Sequence, residues 1–513
     1  MEQKPVLVTG ATGYVGGRLV PRLLEAGYRV RAMGRSAGKL SCRPWGAHAR
    51  LEIVQGDVLD ADSLKAAAKG CRAAFYLVHS MNPQQKDFAR SDLAGARNMV
   101  AAADENGLDR IVYLGGLGEM DDPSLSKHLR SRNEVAQVLR SGRTPATVLR
   151  AAMILGSGSA SFEILRYLVD RLPVMITPKW VHTKSQPIAI TNVLGYLQGC
   201  LEHDETKGQV FDIGGPDILT YKELMDLYAE EAGLPKRKVF PVPVLTPRLS
   251  SYWIHLVTPL PASLARPLAE GLRNPAVCKD DRIRQIIPRK LLTCREAMRL
   301  ALERIAQERV ETCWSDAGEL RPPEWTYCGD AGYAGGTIAE CGYRIPLDAP
   351  PEEVWKPIVR MGGRNGYYFG DGLWWLRGFL DRLAGGVGLR RGRRHPSELY
   401  VGDALDFWRV LEVDPPRKLV LLAEMKTPGE ALLELELVPL GEGRTELRQL
   451  SRFLPRGLAG ILYWYTLYPF HQWIFKGMLK AIARRVNPSA PTAPRRFTPK
   501  LHHACSLPPR RMI

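Results

Sequence analysis

Two rhythms of apolar and polar residues divide the 513-residue chain. Up to about residue 201, short runs rich in Val, Ile and Leu alternate with longer stretches whose apolar residues recur every three or four positions. That alternation predicts parallel strands joined by helical crossovers. The expected strands are Val6–Thr9, Arg29–Met33, Leu51–Gln55, Ala74–Val78, Arg110–Leu114 and Ala146–Arg150. In VFDIGGPDILTYKEL (Val210–Leu224) another strand leads through a Gly-Gly-Pro turn to a helix start. There Thr220 and Glu223 have the spacing of a capping box. Over 236–310 prolines become frequent, but Arg295–Arg309 keeps helical spacing, so this segment reads as an extension of the first domain.

Residues 311–336 are rich in Gly, Pro and acid, the composition of a linker. From Thr337 the rhythm changes. A strand (TIAECGYRIPL) leads to a capped helix (DAPPEEVWKPIVRMGG). Strands follow at Glu398–Val401, Leu405–Val413, Lys418–Met425, Ala431–Val438 and Thr445–Phe453, and a long apolar helix runs from about Leu458 to Arg485. The expected organisation is a first domain at 1–310, a linker at 311–336, a second domain at 337–486, and a disordered Pro/Arg-rich tail at 487–513. The expected fold class is an α/β doubly wound parallel sheet, followed by an α+β domain in which a curved antiparallel sheet wraps one helix.

The nine cysteines are scattered, without a CxxC pair. They read as reduced thiols and argue against a disulfide framework or a metal site. The start MEQKPVLVTG passes straight into an apolar strand and shows no signal peptide, so the expected location is cytoplasmic. The net charge of +17 is concentrated partly in RRGRR (Arg390–Arg394) and in the tail. No nucleic-acid module accompanies it, and no nucleic-acid partner is expected. The stretch Leu458–Phe475 nearly reaches membrane-span length, but Pro469, His471 and Gln472 interrupt it. A span is therefore rejected. Peripheral contact at the inner membrane face stays open, because Trp and Tyr there precede Lys476, Lys480, Arg484 and Arg485.

The motif with the most chemistry is VLVTGATGYVGGRLV (Val6–Val20). A strand enters Gly10-x-x-Gly13-x-x-Gly16 and leaves as a helix. Gly10 permits the tight turn, Gly13 lets backbone approach a pyrophosphate, and Gly16 lets the helix pack close while its N-terminus faces the anion. Gly10, Thr12, Gly13, Tyr14, Val15 and Gly16 are the expected cofactor loop. NAD enzymes place an acid at the end of the second strand; here Gly34 stands there, followed by Arg35 and Ser36. No acid lies between Glu25 and Glu52, whereas Arg31, Arg35, Lys39 and Arg43 do. An arginine suits a 2′-phosphate, so NADP(H) is expected ahead of NAD(H). Asp57 and Val58 in QGDVLD are candidates for the adenine, although an Asp there also shapes turns.

On TGATGYVG, GDVLD and FDIGGPD, in that order, the first roughly 300 positions resemble an extended or atypical short-chain dehydrogenase/reductase of the NmrA-like branch. The second domain resembles helix-grip (START or polyketide-cyclase-like, SRPBCC) domains. The stretch GDALDFWRVLEVDPPRKLVLLAEMKTPGEALLELEL resembles a domain of unknown function fused behind such reductases in bacteria. The first resemblance implies a Tyr-x-x-x-Lys pair after the fifth strand and a serine at that strand's end. On this chain HLRSR occupies that frame. His128 takes the tyrosine position, Arg132 the lysine position, and Gly115 and Gly116 stand where serine is expected. His128 remains a candidate acid/base because a free imidazole titrates near neutrality. Lys127 is one position out of register. His79, at the end of the fourth strand, reads better as a packed histidine. The second resemblance implies a cavity for a hydrophobic small molecule, although its aromatics also suit a packed core.

Three readings follow. One is an NADP(H)-dependent oxidoreductase acting on an apolar small molecule. Another is a catalytically silent NADP(H)-binding redox sensor or assembly factor. The third is a lipid binder whose Rossmann domain is only scaffold, and the intact glycine loop argues against it.

Overall fold

The computed structural model describes residues 4–41, 43–78, 88–118, 125–242, 270–306, 338–389, 392–441, 443–455, 457–487 and 493–497. The expected linker 311–336, His79 and most of the tail lie outside these residues. The chain divides into two compact units, Met1–Glu319 and Leu320–Ile513.

In the first unit, strands β1 (Val6–Thr9), β2 (Val30–Gly34), β3 (Leu51–Gln55), β4 (Ala73–Tyr76), β5 (Arg110–Gly116), β6 (Ala146–Ala151) and β7 (Val210–Ile213) form one sheet in the order β3-β2-β1-β4-β5-β6-β7. Every pairing in it is parallel. The expected strands lie within two residues of those formed. Parallel strands buried on both faces carry continuous apolar runs, and all four residues of β1 are buried. Along β1, Val6 and Val8 pack with Leu19 and Leu23 of α1 (Gly16–Glu25) and with Val193 and Leu197 of α6 (Ile190–Glu202). Leu7 faces the other way, toward Leu64 of α2 (Ala61–Ala68), Met99 of α3 (Phe88–Asn106) and Val135 of α4 (Lys127–Leu139). Alternate side chains thus bind a helical layer on each face. The strand order reverses direction between β1 and β4, which opens a crevice at their carboxyl ends.

A smaller core joins α5 (Ala160–Arg171), α7 (Tyr221–Glu231) and α8 (Cys294–Ala306) through Phe162, Tyr228 and Met298. The expected box at the start of α7 is present: the Thr220 hydroxyl accepts from the Glu223 amide, and the Glu223 carboxylate accepts from the Thr220 amide.

In the second unit, β8 (Ala339–Leu347), β9 (Trp408–Asp414), β10 (Lys418–Ala423), β11 (Gly429–Gly441) and β12 (Arg444–Pro455) form an antiparallel sheet in the order β9-β10-β11-β12-β8. Two-residue strands, Ala404–Leu405 and Arg495–Arg496, lie at its edges. One face is apolar: Ile345, Leu433, Leu435, Leu447 and Phe453 pack with Val354 and Ile358 of α9 (Pro351–Val359) and with Met478 and Ile482 of α11 (Gly457–Val486). The opposite face carries cross-strand ion pairs, among them Lys418 with Glu412 at 3.3 Å and Arg452 with Glu340 at 3.2 Å. The main core thus lies on one face, while Leu411, Val420 and Leu432 form a small buried cluster on the other.

Three expectations are corrected. Glu398–Val401 is not a strand: the Asp403 carboxylate accepts from the Tyr400 amide at 2.9 Å and pairs with Arg394, which bends the chain there. Helix α9 carries no side-chain cap; it starts at Pro351 behind Pro350, and proline suits a first helical position because its missing N–H would be unpaired there anyway. The aromatic stretch Gly366–Leu383 contains a helix that was not anticipated, α10 (Asp371–Leu383). From it Trp374 enters the core beside Tyr367 and Phe407, with ring centroids 5.0 and 5.7 Å away.

Phe407 is fully buried and touches Tyr367, Trp374 and Trp408. Phe407→Ala should destabilise the second unit by about 3–5 kcal/mol, seen as a lower urea midpoint by tryptophan fluorescence. Leu440→Ala, at a position 44% exposed, should leave that midpoint unchanged.

Candidate functional site

The glycine loop sits at the crevice between β1 and β4. The Thr9 hydroxyl donates to the Phe75 carbonyl at 3.0 Å and ties the two strand ends together. Gly10 follows with φ +69°, a left-handed conformation. A Cβ on it would lie 2.6 Å from the Leu77 carbonyl oxygen, so the turn lies flush against the end of β4. The Gly13 amide closes the turn on the Gly10 carbonyl at 2.9 Å. A Cβ on Gly16 would lie 2.3 Å from that same carbonyl oxygen. Helix α1 therefore starts against the loop, and no side chain caps it at Val15. A helix start presented this way, without a side-chain oxygen on it, is suited to a phosphate. The loop thus fits a pyrophosphate held by backbone amides.

The other loop residues fix its position. The Arg18 guanidinium stacks 4.8 Å from the Tyr14 ring centroid and donates to the Ser157 carbonyl at 2.8 Å. Gly156 passes so close that a Cβ there would lie 2.5 Å from the Tyr14 hydroxyl. Tyr14 and Arg18 thereby pin the segment after β6 to the glycine loop, a link that sequence spacing did not reveal. Val15 packs at the edge of the core beneath the loop.

At the end of β2, a Cβ on Gly34 would meet Thr12 Cγ2 at 3.2 Å and Leu40 Cδ1 at 3.3 Å. An acid at this position would need both to give way. Of the four cations named for this region, Arg31 is committed elsewhere: it pairs with Glu52 at 2.7 Å and donates to the Ala67 carbonyl at 2.8 Å. Lys39 and Arg43 are buried. Arg35 is exposed, with half-buried Ser36 beside it. Asp57 forms a local turn, its carboxylate accepting from the Leu59 amide at 3.0 Å. Capping of α2 falls to Asp60 instead. Val58 is buried, and its carbonyl accepts from the Asn98 side chain at 2.9 Å.

Helix α4 begins at Ser126, whose hydroxyl accepts from the Leu129 amide at 3.3 Å. Lys127 is exposed, whereas His128 is 7% exposed and buried. One turn on, Arg132 reaches the end of β5 and donates to the Leu114 carbonyl at 3.1 Å. A Cβ on Gly116 would meet Leu129 at 2.7 Å and Arg132 at 3.4 Å. The helix presses on the strand end where a serine would stand. Two groups went unnoticed in the sequence. Tyr113 donates to the Arg132 carbonyl at 3.3 Å, and burial pushes its phenol up to about 12, so it stays protonated. Asp92 on α3 accepts from Ser131 on α4 at 3.3 Å. Neither lies in a recognisable motif; only folding brings α3, β5 and α4 together. Among the described residues no group of His, Cys, Asp and Glu could hold a metal ion.

Residues 10–165 match a family model described as NAD(P)H-binding, and residues 339–478 match one described as a protein of unknown function, DUF2867. The chain is 36% identical over 121 residues to cinnamoyl-CoA reductase 1 of Oryza sativa subsp. japonica, covering 23% of this chain and 36% of that one. It is 40% identical over 110 residues to a putative dihydroflavonol 4-reductase of Synechocystis sp., covering 21% and 31%. The chain thus spans about a third of the length of these relatives. Among solved structures, the Citrobacter sp. triphenylmethane reductase complexed with NADP(H) is 20% identical and aligns over 58% of this chain and 99% of its own, with a TM-score of 0.47. A Staphylococcus aureus nucleoside-diphosphate-sugar epimerase is 17% identical over 57% and 99%, also at 0.47. The crowded glycine turn at the crevice and the match over residues 10–165 make this segment an NAD(P)-binding Rossmann domain, similar in sequence to reductases.

Proposed function

We propose that the protein is an NADP(H)-dependent oxidoreductase that reduces a carbonyl of an apolar small molecule. The observation that carries the choice of cofactor is Gly34. A Cβ there would crowd Thr12 at 3.2 Å and Leu40 at 3.3 Å, while Arg35 beside it is exposed. A ribose bearing a 2′-phosphate gains a guanidinium there and meets no carboxylate. The backbone of Gly10–Gly16 holds the pyrophosphate.

The dinucleotide, when bound, supplies the hydride. Carbonyl reduction also needs a proton at the oxygen, and His128 is the group in the proton-donor position of the frame. Arg132, held at the end of β5 by the Leu114 carbonyl, orients the nicotinamide-side ribose through its remaining N–H donors. The apolar character of the substrate rests on the likeness of the second unit's antiparallel sheet and long helix to helix-grip domains, which take hydrophobic ligands. The expected place of work is the cytoplasm.

A second reading is favoured by one feature. No hydroxyl stands at Gly115 or Gly116, and a side chain at Gly116 would have to displace Leu129 of α4. A protein that binds NADP(H) and signals its redox state without turnover would lose that serine first.

Calorimetric titration tests the cofactor. NADPH should bind at least tenfold more tightly than NADH. Arg35→Asp should erase that preference, and Gly16→Val should abolish binding of both nucleotides. Equal affinities in the wild type would overturn the NADP(H) assignment.

Turnover is tested with decanal and 4-phenyl-2-butanone by NADPH absorbance. His128→Ala should lower kcat by about 10²-fold or more, with NADPH affinity within about twofold. An unchanged kcat removes His128 from the chemistry. Absence of turnover in the wild type, with partner binding that differs between NADP⁺ and NADPH, establishes the silent reading.

A further inference from the structure

The second unit leaves a large apolar surface exposed on two neighbouring helices. On α10, Trp374, Gly378 and Asp381 face inward, while Trp375, Leu376, Phe379, Leu380 and Leu383 face outward. Spacings of three and four place these five on one stripe. Trp375 is 62% exposed and Leu383 64%, and the Trp375 and Phe379 rings stack 5.8 Å apart. On α11, Leu462, Tyr465, Phe470 and Trp473 form a second exposed stripe, with Tyr465 at 72%. The helices touch. The Arg377 guanidinium lies 5.6 Å from the Tyr463 ring centroid, and Phe369, just before α10, meets Trp473 edge-on at 4.9 Å. Both stripes therefore belong to one region of the unit. Monomeric soluble proteins rarely expose contiguous apolar surface on this scale without a partner.

Charge identifies the partner. The stripe on α11 continues past Trp473, at the same spacing, through Lys476, Lys480 and Arg484, all exposed. The sequence of α11 contains no Asp or Glu along its whole length. Apolar and aromatic residues followed by cations, with no acid between them, match the depth profile of an anionic bilayer. There hydrocarbon lies beneath a layer where Trp and Tyr partition, and phosphates lie above it. No helix among the described residues is long and apolar enough to cross a membrane, so the contact is peripheral. A protein occupant would need a separate acidic surface opposite the basic end; anionic headgroups provide it everywhere.

We propose that the outward faces of α10 and α11 form a docking surface for an anionic lipid bilayer, with Trp375, Leu380 and Trp473 entering the interface and Lys476, Lys480 and Arg484 on the headgroups. This does not rest on the oxidoreductase reading.

The test is cosedimentation of the full chain with phosphatidylcholine vesicles, either pure or containing about 30% phosphatidylserine. The expected result is binding to the anionic vesicles at least tenfold above the neutral ones, weakened by raising the salt. Trp375→Ser with Leu380→Ser should reduce binding at least tenfold at both compositions. Lys476→Glu with Lys480→Glu should remove the anionic preference, at roughly fivefold per cation. All of these positions are exposed, and the urea midpoint of each variant by tryptophan fluorescence separates loss of the surface from loss of the second unit's fold. Failure of the wild type to sediment with anionic vesicles overturns the proposal. So does a stable dimer in light scattering that is dispersed by Trp375→Ser with Leu380→Ser, which would assign the face to a second copy of the chain.

Discussion

The carbonyl oxygen of Gly10 lies 2.3 Å from where a Cβ on Gly16 would be, and a Cβ on Gly10 would lie 2.6 Å from the Leu77 carbonyl oxygen at the end of β4. This double contact is the constraint on which the nucleotide end of the molecule depends. It holds the first turn of α1 against the carboxyl end of β1, at the point where the strand order reverses. Any side chain at either glycine would push the helix away and separate the amides from a pyrophosphate. The surrounding residues reinforce the arrangement. Thr9 bridges to β4, Tyr14 and Arg18 pin the segment after β6, and Thr12 closes the end of β2.

That last contact links loop packing to cofactor choice. Gly34 does more than omit a carboxylate. A side chain there would crowd Thr12 of the glycine loop and Leu40, so the packing of the loop and the residue type at the end of β2 are linked. The same logic holds at β5, where Leu129 and Arg132 press on Gly116. The departures from the Ser, Tyr and Lys frame meet there in space: a Cβ on Gly116 would displace the end of the Leu129 side chain, and Arg132 is braced by the Leu114 carbonyl and by Tyr113.

In the first unit most of the fold was legible. Fully buried parallel strands carry unbroken apolar runs, and the crossover helices between them keep a 3.6-residue period, so both signals are local. The second unit was less so. Glu398–Val401 has the alternation of a strand, yet Asp403 and Arg394 draw it into a turn. Helix α10 was hidden because its large apolar residues face outward while Trp374, Gly378 and Asp381 face inward, the reverse of the pattern that marks a surface helix. The basic cluster after β2 looked uniform in sequence, and folding separated it. Arg31 pairs with Glu52, Lys39 and Arg43 are buried, and Arg35 is exposed at the end of the strand.

By itself the sequence determined the parallel α/β order of the first unit, the position of the glycine turn and the absence of an acid at Gly34, because each depends on residue type within one local element. Only the tertiary structure decided which cation remains exposed beside that turn and that Tyr113 and Asp92 support α4. It likewise decided that Trp374 is core while Trp375 is surface. Those distinctions depend on which segments meet in space, and neighbours in the fold are far apart in the chain.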